Sequence, residues 1–117
     1  MNKAILIGNL TKDPESGYTA GDVAYCRFTL AVNRRYENQA GKREADYIQV
    51  VVWRQLAELC NQYLAKGRKA GVVGAIQTRA YDGQDGNRRY VTEVVADEVD
   101  FLSAKPDAAP MPEPPMR

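Results

Sequence analysis

The sequence predicts an all-β fold, a closed five-stranded barrel with one helix between strands three and four and two long β-hairpin loops. Three observations carry that expectation. Five β-prone stretches are spread along 117 residues, only one stretch repeats with a helical period, and long polar segments separate strands two from three and four from five. A chain of this length suits one domain with one apolar core.

Lys3 to Leu10 is a nearly unbroken apolar run rich in Ile and Leu, closed by Thr11 to Pro14, as for a first strand entering a loop. Val23 to Val32 alternates, with Cys26, Phe28, Leu30 and Val32 on one side and Tyr25, Arg27 and Thr29 on the other. This is a half-buried second strand. Asn33 to Ala45 (NRRYENQAGKREA) is polar and contains Gly41, so a long hairpin loop is expected there. Tyr47 to Trp53 resumes β character, with Ile48, Val50 and Val52 on one face and Tyr47, Gln49, Val51 and Trp53 on the other.

Leu56, Leu59, Cys60, Tyr63 and Leu64 form the stripe of an amphipathic helix, and Lys66-Gly67 supplies its stop. Lys69 to Thr78 and Tyr90 to Phe101 are the last two strands, joined across Tyr81 to Arg89, where Asp82-Gly83 and Asp85-Gly86 mark turns. Phe28, Tyr63 and Phe101 are expected in the core. The domain is expected to span residues 1–104; residues 105–117 read as a disordered Pro-rich tail, since five of the six prolines follow Phe101. Three strands, a helix and two strands is the layout of the oligonucleotide/oligosaccharide-binding (OB) fold, whose loops and one face take oligomeric ligands.

Composition narrows the chemistry. The net charge is +1, so no overall basicity points to a polyanion and only local charge can do so. The start, MNKAILIGNL, resembles neither a secretory signal nor a membrane span, which predicts a cytoplasmic protein. Cys26 and Cys60 are the only cysteines and histidine is absent, so a four-ligand zinc site is not expected and both thiols read as buried and reduced. With no His base, no Gly-rich phosphate loop and no nucleophile elbow, no enzyme activity, catalytic residue, metal or cofactor is expected.

Trp53, the only tryptophan, lies opposite the aliphatic face of its strand, and Tyr47 shares its side roughly 20 Å away along the strand. Tyr36 follows Arg34 and Arg35 at the start of the first hairpin; Tyr81 follows Arg79 at the start of the second. Aromatics interleaved with cations suit single-stranded nucleic acid, because a flat ring stacks on any base while Arg and Lys follow the phosphates. Between Asn33 and Arg43 four cations face one carboxylate, a local charge of +3, and Lys3, Arg54 and Arg79 extend the same surface, with Arg88 and Arg89 beyond. Against this stands the ordinary alternative, in which each aromatic taken singly packs into a core and each cation solubilises a loop.

The stretches NKAILIGNLTKDPE, RFTLAVNR, VVVWRQLAE, LAKGRKAGVVGAIQTRAY and YVTEVVADEVDFL resemble bacterial single-stranded DNA-binding proteins, in order and spacing, over about the first hundred residues. The resemblance implies an OB-fold homotetramer, nucleoid-associated, that wraps single-stranded DNA in replication, recombination and repair. It also places the family's stacking positions on Tyr36, Tyr47, Trp53 and Tyr81, with Lys3, Arg34, Arg35, Arg54 and Arg79 as phosphate partners. Two departures stand out. Gly17-Tyr18 occupies a place where relatives often read Arg-Tyr, which puts one phosphate contact in doubt, and the chain ends PMPEPPMR where relatives usually carry an acidic, phenylalanine-terminated tip. Recruitment of replication and repair proteins through such a tip is therefore not expected. The rival readings are an OB-fold module that chiefly contacts proteins, and a nuclease.

Overall fold

The computed structural model describes residues 1–103. The expected tail at 105–117, and with it the end of the chain, lies outside the described residues. Along the chain run β1 (Ala4–Leu10), β2 (Glu15–Tyr18), β3 (Ala24–Glu37), β4 (Arg43–Trp53), α1 (Arg54–Tyr63), β5 (Lys69–Asp82) and β6 (Arg88–Phe101).

Five of these strands close into a barrel in the order β1-β5-β6-β4-β3, with β3 returning to β1 through Asn9↔Ala31 and Leu10↔Leu30. Every neighbouring pair is antiparallel except β4 and β6, which run parallel and pair only at Val50↔Val94 and Val51↔Val95. The architecture is the OB-fold barrel expected from the sequence, with α1 following the third barrel strand. Where β1 crosses β3 the backbones almost touch: a Cβ on Gly8 would lie 2.3 Å from the Ala31 carbonyl oxygen, so only glycine permits this closure.

Alternation supplies the core. Cys26, Phe28 and Leu30 from β3, Val50 and Val52 from β4, Ala70 and Val72 from β5, and Val94 and Val99 from β6 are buried together, with Ala57, Cys60 and Leu64 covering them from α1 and its end. Val94 and Val99 are five residues apart, and strict alternation would send them to opposite faces. A one-residue slip in the β5–β6 register leaves Asp97 without a partner and brings both inside.

Four details differ from the sequence expectation. Residues 15–18, expected within a loop, form the short β2 against β3, outside the closed ring; ESGY carries no apolar alternation to announce it. The first polar segment is β-ribbon rather than loop for most of its length and the second is ribbon at both ends, the chain turning near Gly41 and Gly86, both at positive φ. Their faces are both solvated, so backbone pairing proceeds without an alternating pattern. Leu59 is 45% exposed while Ala57 is buried in its stead, which rotates the buried stripe of α1. Phe28 is core, but Phe101 stands at the rim, its ring 5.4 Å from that of the half-buried Tyr63.

Cys26 and Cys60 are fully buried, free, and share a side-chain hydrogen bond between β3 and α1. That bond, together with burial, pushes the Cys60 thiol far above its ordinary range, so it stays protonated and unreactive. No helix among the described residues is long and apolar enough to cross a membrane.

Candidate nucleic-acid interface

The β3–β4 register fixes what the outer face of the barrel displays. Val50 and Val52 point inward, so Tyr47 and Trp53 point outward, standing opposite Ala31 and Tyr25 of β3. Tyr47 is 68% exposed and Trp53 38%. Trp53 ends β4 in an extended conformation, and the next residue, Arg54, takes a left-handed φ of 65° as the chain turns into α1. A non-glycine residue there is strained, and the bend sets the indole at the corner where sheet meets helix.

Tyr36 and Tyr81 belong to the ribbons. Tyr36 lies near the tip of the β3–β4 ribbon and Tyr81 near that of the β5–β6 ribbon, paired with Arg89, and both are well exposed. The guanidinium carbon of Arg79 sits 5.8 Å over the Tyr81 ring, a cation–π arrangement that holds charge beside a free aromatic surface. All four aromatics singled out in the sequence are therefore exposed.

The cations divide into two groups. Lys3, Arg35 and Arg54 form no ion pair among the described residues. Arg34 is engaged instead. Its Nη2 donates to Asp46 Oδ1 at 2.9 Å, its Nε to Asp46 Oδ2 at 3.2 Å, and its Nη1 to Glu44 Oε2 at 3.1 Å. Hydrogen bonding to Arg34 holds the Asp46 carboxyl below its ordinary value, and the same bond raises Arg34. The local excess of charge read over 33–43 thus shrinks once these two carboxylates, just past that window, are counted.

Arg79 also has a partner, Glu93 Oε1 at 3.4 Å, and Glu93 is the one buried charged residue among those described. Arg89 pairs with Asp85 at 2.6 Å within its own hairpin, which fits solvated hairpin chemistry better than a shared surface.

Three further residues, not among the candidates read from the sequence, lie on the same surfaces. Tyr90 is 77% exposed and lines a cavity of about 470 Å³ between β4, β6 and β1, together with Tyr47, Ile48, Ile76 and Glu93. The Arg89-Tyr90 step repeats the cation-then-aromatic signal of Arg35-Tyr36, which was the available clue. Tyr25 and Arg27 share the outer face with Trp53; an Arg in the middle of an alternating strand was the signal there.

The model of the single-strand binding protein family matches residues 1–102. The chain is 57% identical to a single-stranded DNA-binding protein of Bacillus cereus over 105 residues, 90% of this chain and 62% of that protein. It is 55% identical to single-stranded DNA-binding protein 3 of Listeria innocua over 93% of this chain and 68% of the relative, and 58% identical to single-stranded DNA-binding protein 2 of Clostridium acetobutylicum over 87% and 77%. The chain thus spans about three fifths of the length of the Bacillus relative.

Proposed function

Because this chain belongs to the single-strand binding protein family, we propose that it coats single-stranded DNA without reading its sequence, as a binding protein rather than an enzyme, in replication, recombination and repair. Bases stack on Tyr36, Tyr47, Trp53 and Tyr81, and the phosphates follow Lys3, Arg35, Arg54 and Arg79. Arg34 joins them where a phosphate displaces Asp46 or Glu44 from its guanidinium. Each ring offers a π-face that any base can use, so affinity rises without base discrimination.

The observation that carries this reading is the outward set of rings on a closed sheet, with Arg35 next to Tyr36 and Arg54 next to Trp53 in the chain, neither in an ion pair among the described residues. Self-association into a tetramer is part of the same proposal. It is supported by the outer side of β1, where Ile5 and Ile7 are 71% and 56% exposed, more apolar surface than a solvated strand needs.

An oligo-dT titration followed by Trp53 fluorescence at several salt concentrations, with the solution mass measured alongside, tests both parts. Binding is expected to weaken with salt at a log–log slope near ~0.7 per phosphate neutralised. Salt-independent binding, or degradation of the oligonucleotide in magnesium, overturns the reading.

A further inference from the structure

Resting on the outer sheet face as the single-strand platform, we propose that Tyr25 is the positioning residue of that platform. It fixes the Trp53 indole and holds Arg27 as an added phosphodiester contact, on a seat that glycine at position 17 leaves open.

Register sets the geometry. Tyr25 of β3 stands opposite Trp53 of β4 on one side and opposite Gly17 of β2 on the other, so the three lie abreast on the outer face. The Tyr25 ring centroid is 6.2 Å from that of Trp53, tilted by 58°, and the Arg27 guanidinium carbon is 5.4 Å over the Tyr25 ring. One phenol therefore contacts both a stacking ring and a cation.

The seat is specific. A Cβ on residue 17 would meet the Tyr25 Oη at 2.7 Å, Cζ at 2.9 Å and Cε1 at 3.0 Å, so the ring lies directly across the glycine. Any side chain there moves the ring, because the ring is the part free to shift. The residue that departs from the resemblance at Gly17 is thus the one that makes room for Tyr25, and Arg27, two residues along, brings a guanidinium to the same corner.

Trp53 depends on such a brace. It is the last residue of its strand, followed at once by the left-handed Arg54, so the chain beyond it leaves the sheet. Among the described residues Tyr25 is its aromatic neighbour. Trp53 is also the least exposed of the four stacking rings, part covered and part open. Among the described residues Arg27 has a buried Nε with no hydrogen-bond partner and forms no ion pair, although Glu15 lies opposite it on β2. A guanidinium stacked on a ring keeps its remaining N–H groups for a phosphate.

The competing role is cover alone. Val51, beside Arg27 on the outer face, is only 2% exposed, and Arg27 could serve just to shield it. The variants Tyr25→Val, Tyr25→Phe, Gly17→Ala and Arg27→Gln separate the two, read by acrylamide quenching of Trp53 in the free protein and by salt-titrated oligo-dT binding. Tyr25→Val is expected to open Trp53 to acrylamide and weaken oligo-dT by about fivefold or more, while Tyr25→Phe restores both. Gly17→Ala, which keeps every native side chain, is expected to repeat Tyr25→Val and to add nothing on top of it, and it gives the reading should Tyr25→Val not fold. Arg27→Gln is expected to leave quenching unchanged and lower the salt slope by ~0.7. If wild type binds oligo-dT and neither Tyr25→Val nor Gly17→Ala alters quenching or affinity, the proposal falls by itself. If wild type does not bind oligo-dT, it falls together with the function it rests on.

Discussion

Arg34 reaches across the β3–β4 ribbon to Asp46, twelve residues on, and grips both of its carboxylate oxygens while a third nitrogen holds Glu44. If the ribbon faces DNA as proposed, this cation is held in reserve by two acids and a phosphate must compete for it.

Removing that competition is expected to tighten binding. Asp46→Asn with Glu44→Gln frees the guanidinium, and oligo-dT affinity at low salt should rise several-fold with a salt slope steeper by ~0.7, measured by fluorescence titration. Unchanged affinity would mean that Arg34 never meets the backbone.

The same pair sets a pH dependence. Asp46 is depressed below its ordinary 3.8, so its contribution is complete above that value and is lost as pH falls through the lower, folded value. Arg34 is raised above its ordinary value by the same bond, so its side of the pair persists through all milder alkaline conditions. Carboxyl-carbon NMR of Asp46 should show a midpoint below 3.8 that returns to ordinary in Arg34→Gln.

On the proposed reading Trp53→Ala removes one stacking platform, at the end of β4. A loss of about 1–3 kcal/mol in oligo-dT binding is expected, roughly five- to 150-fold, with the oligomer intact by sedimentation. Dissociation of the oligomer with DNA affinity preserved would place the indole in a subunit contact instead.

Arg79 is the ion partner of a nearly buried carboxylate. Arg79→Ala leaves Glu93 without it, and because Arg79 itself is half exposed the cost is discounted to about 1–2 kcal/mol of stability in denaturant titration. Adding Glu93→Gln should recover most of that loss, whereas oligo-dT affinity should stay reduced in both.

Gly8→Ala tests the barrel's closure. Its Cβ meets backbone, the Ala31 carbonyl, which cannot swing aside as a side chain can. Destabilisation of about 2–3 kcal/mol is expected, a fall in Tm of roughly 10–20 °C by calorimetry.

The barrel strands were legible in the sequence because each buries one face: Cys26-Phe28-Leu30 and Val50-Val52 alternate as a half-buried strand must. So was the outward direction of Tyr47 and Trp53, which follows from the same parity. What escaped notice had no burial to mark it. The ribbon arms beyond Asn33 and Thr78 bury no apolar face, and β2 is four residues at a barrel's flank. The slip at Asp97 breaks parity within one strand, which no periodic reading detects. The engagement of Arg34 was hidden differently, since its neutralising acids sit across a hairpin whose register the sequence does not state.

The parallel seam between β4 and β6 has a consequence for the order of events during synthesis. Val50 and Val51 have their second neighbour only when Val94 and Val95 arrive, more than forty residues later, so the nascent chain carries an open hydrophobic edge until β6 is made. Mutations that slow completion of β6 should therefore show up as aggregated product in the cell before they register as lost stability in the purified protein.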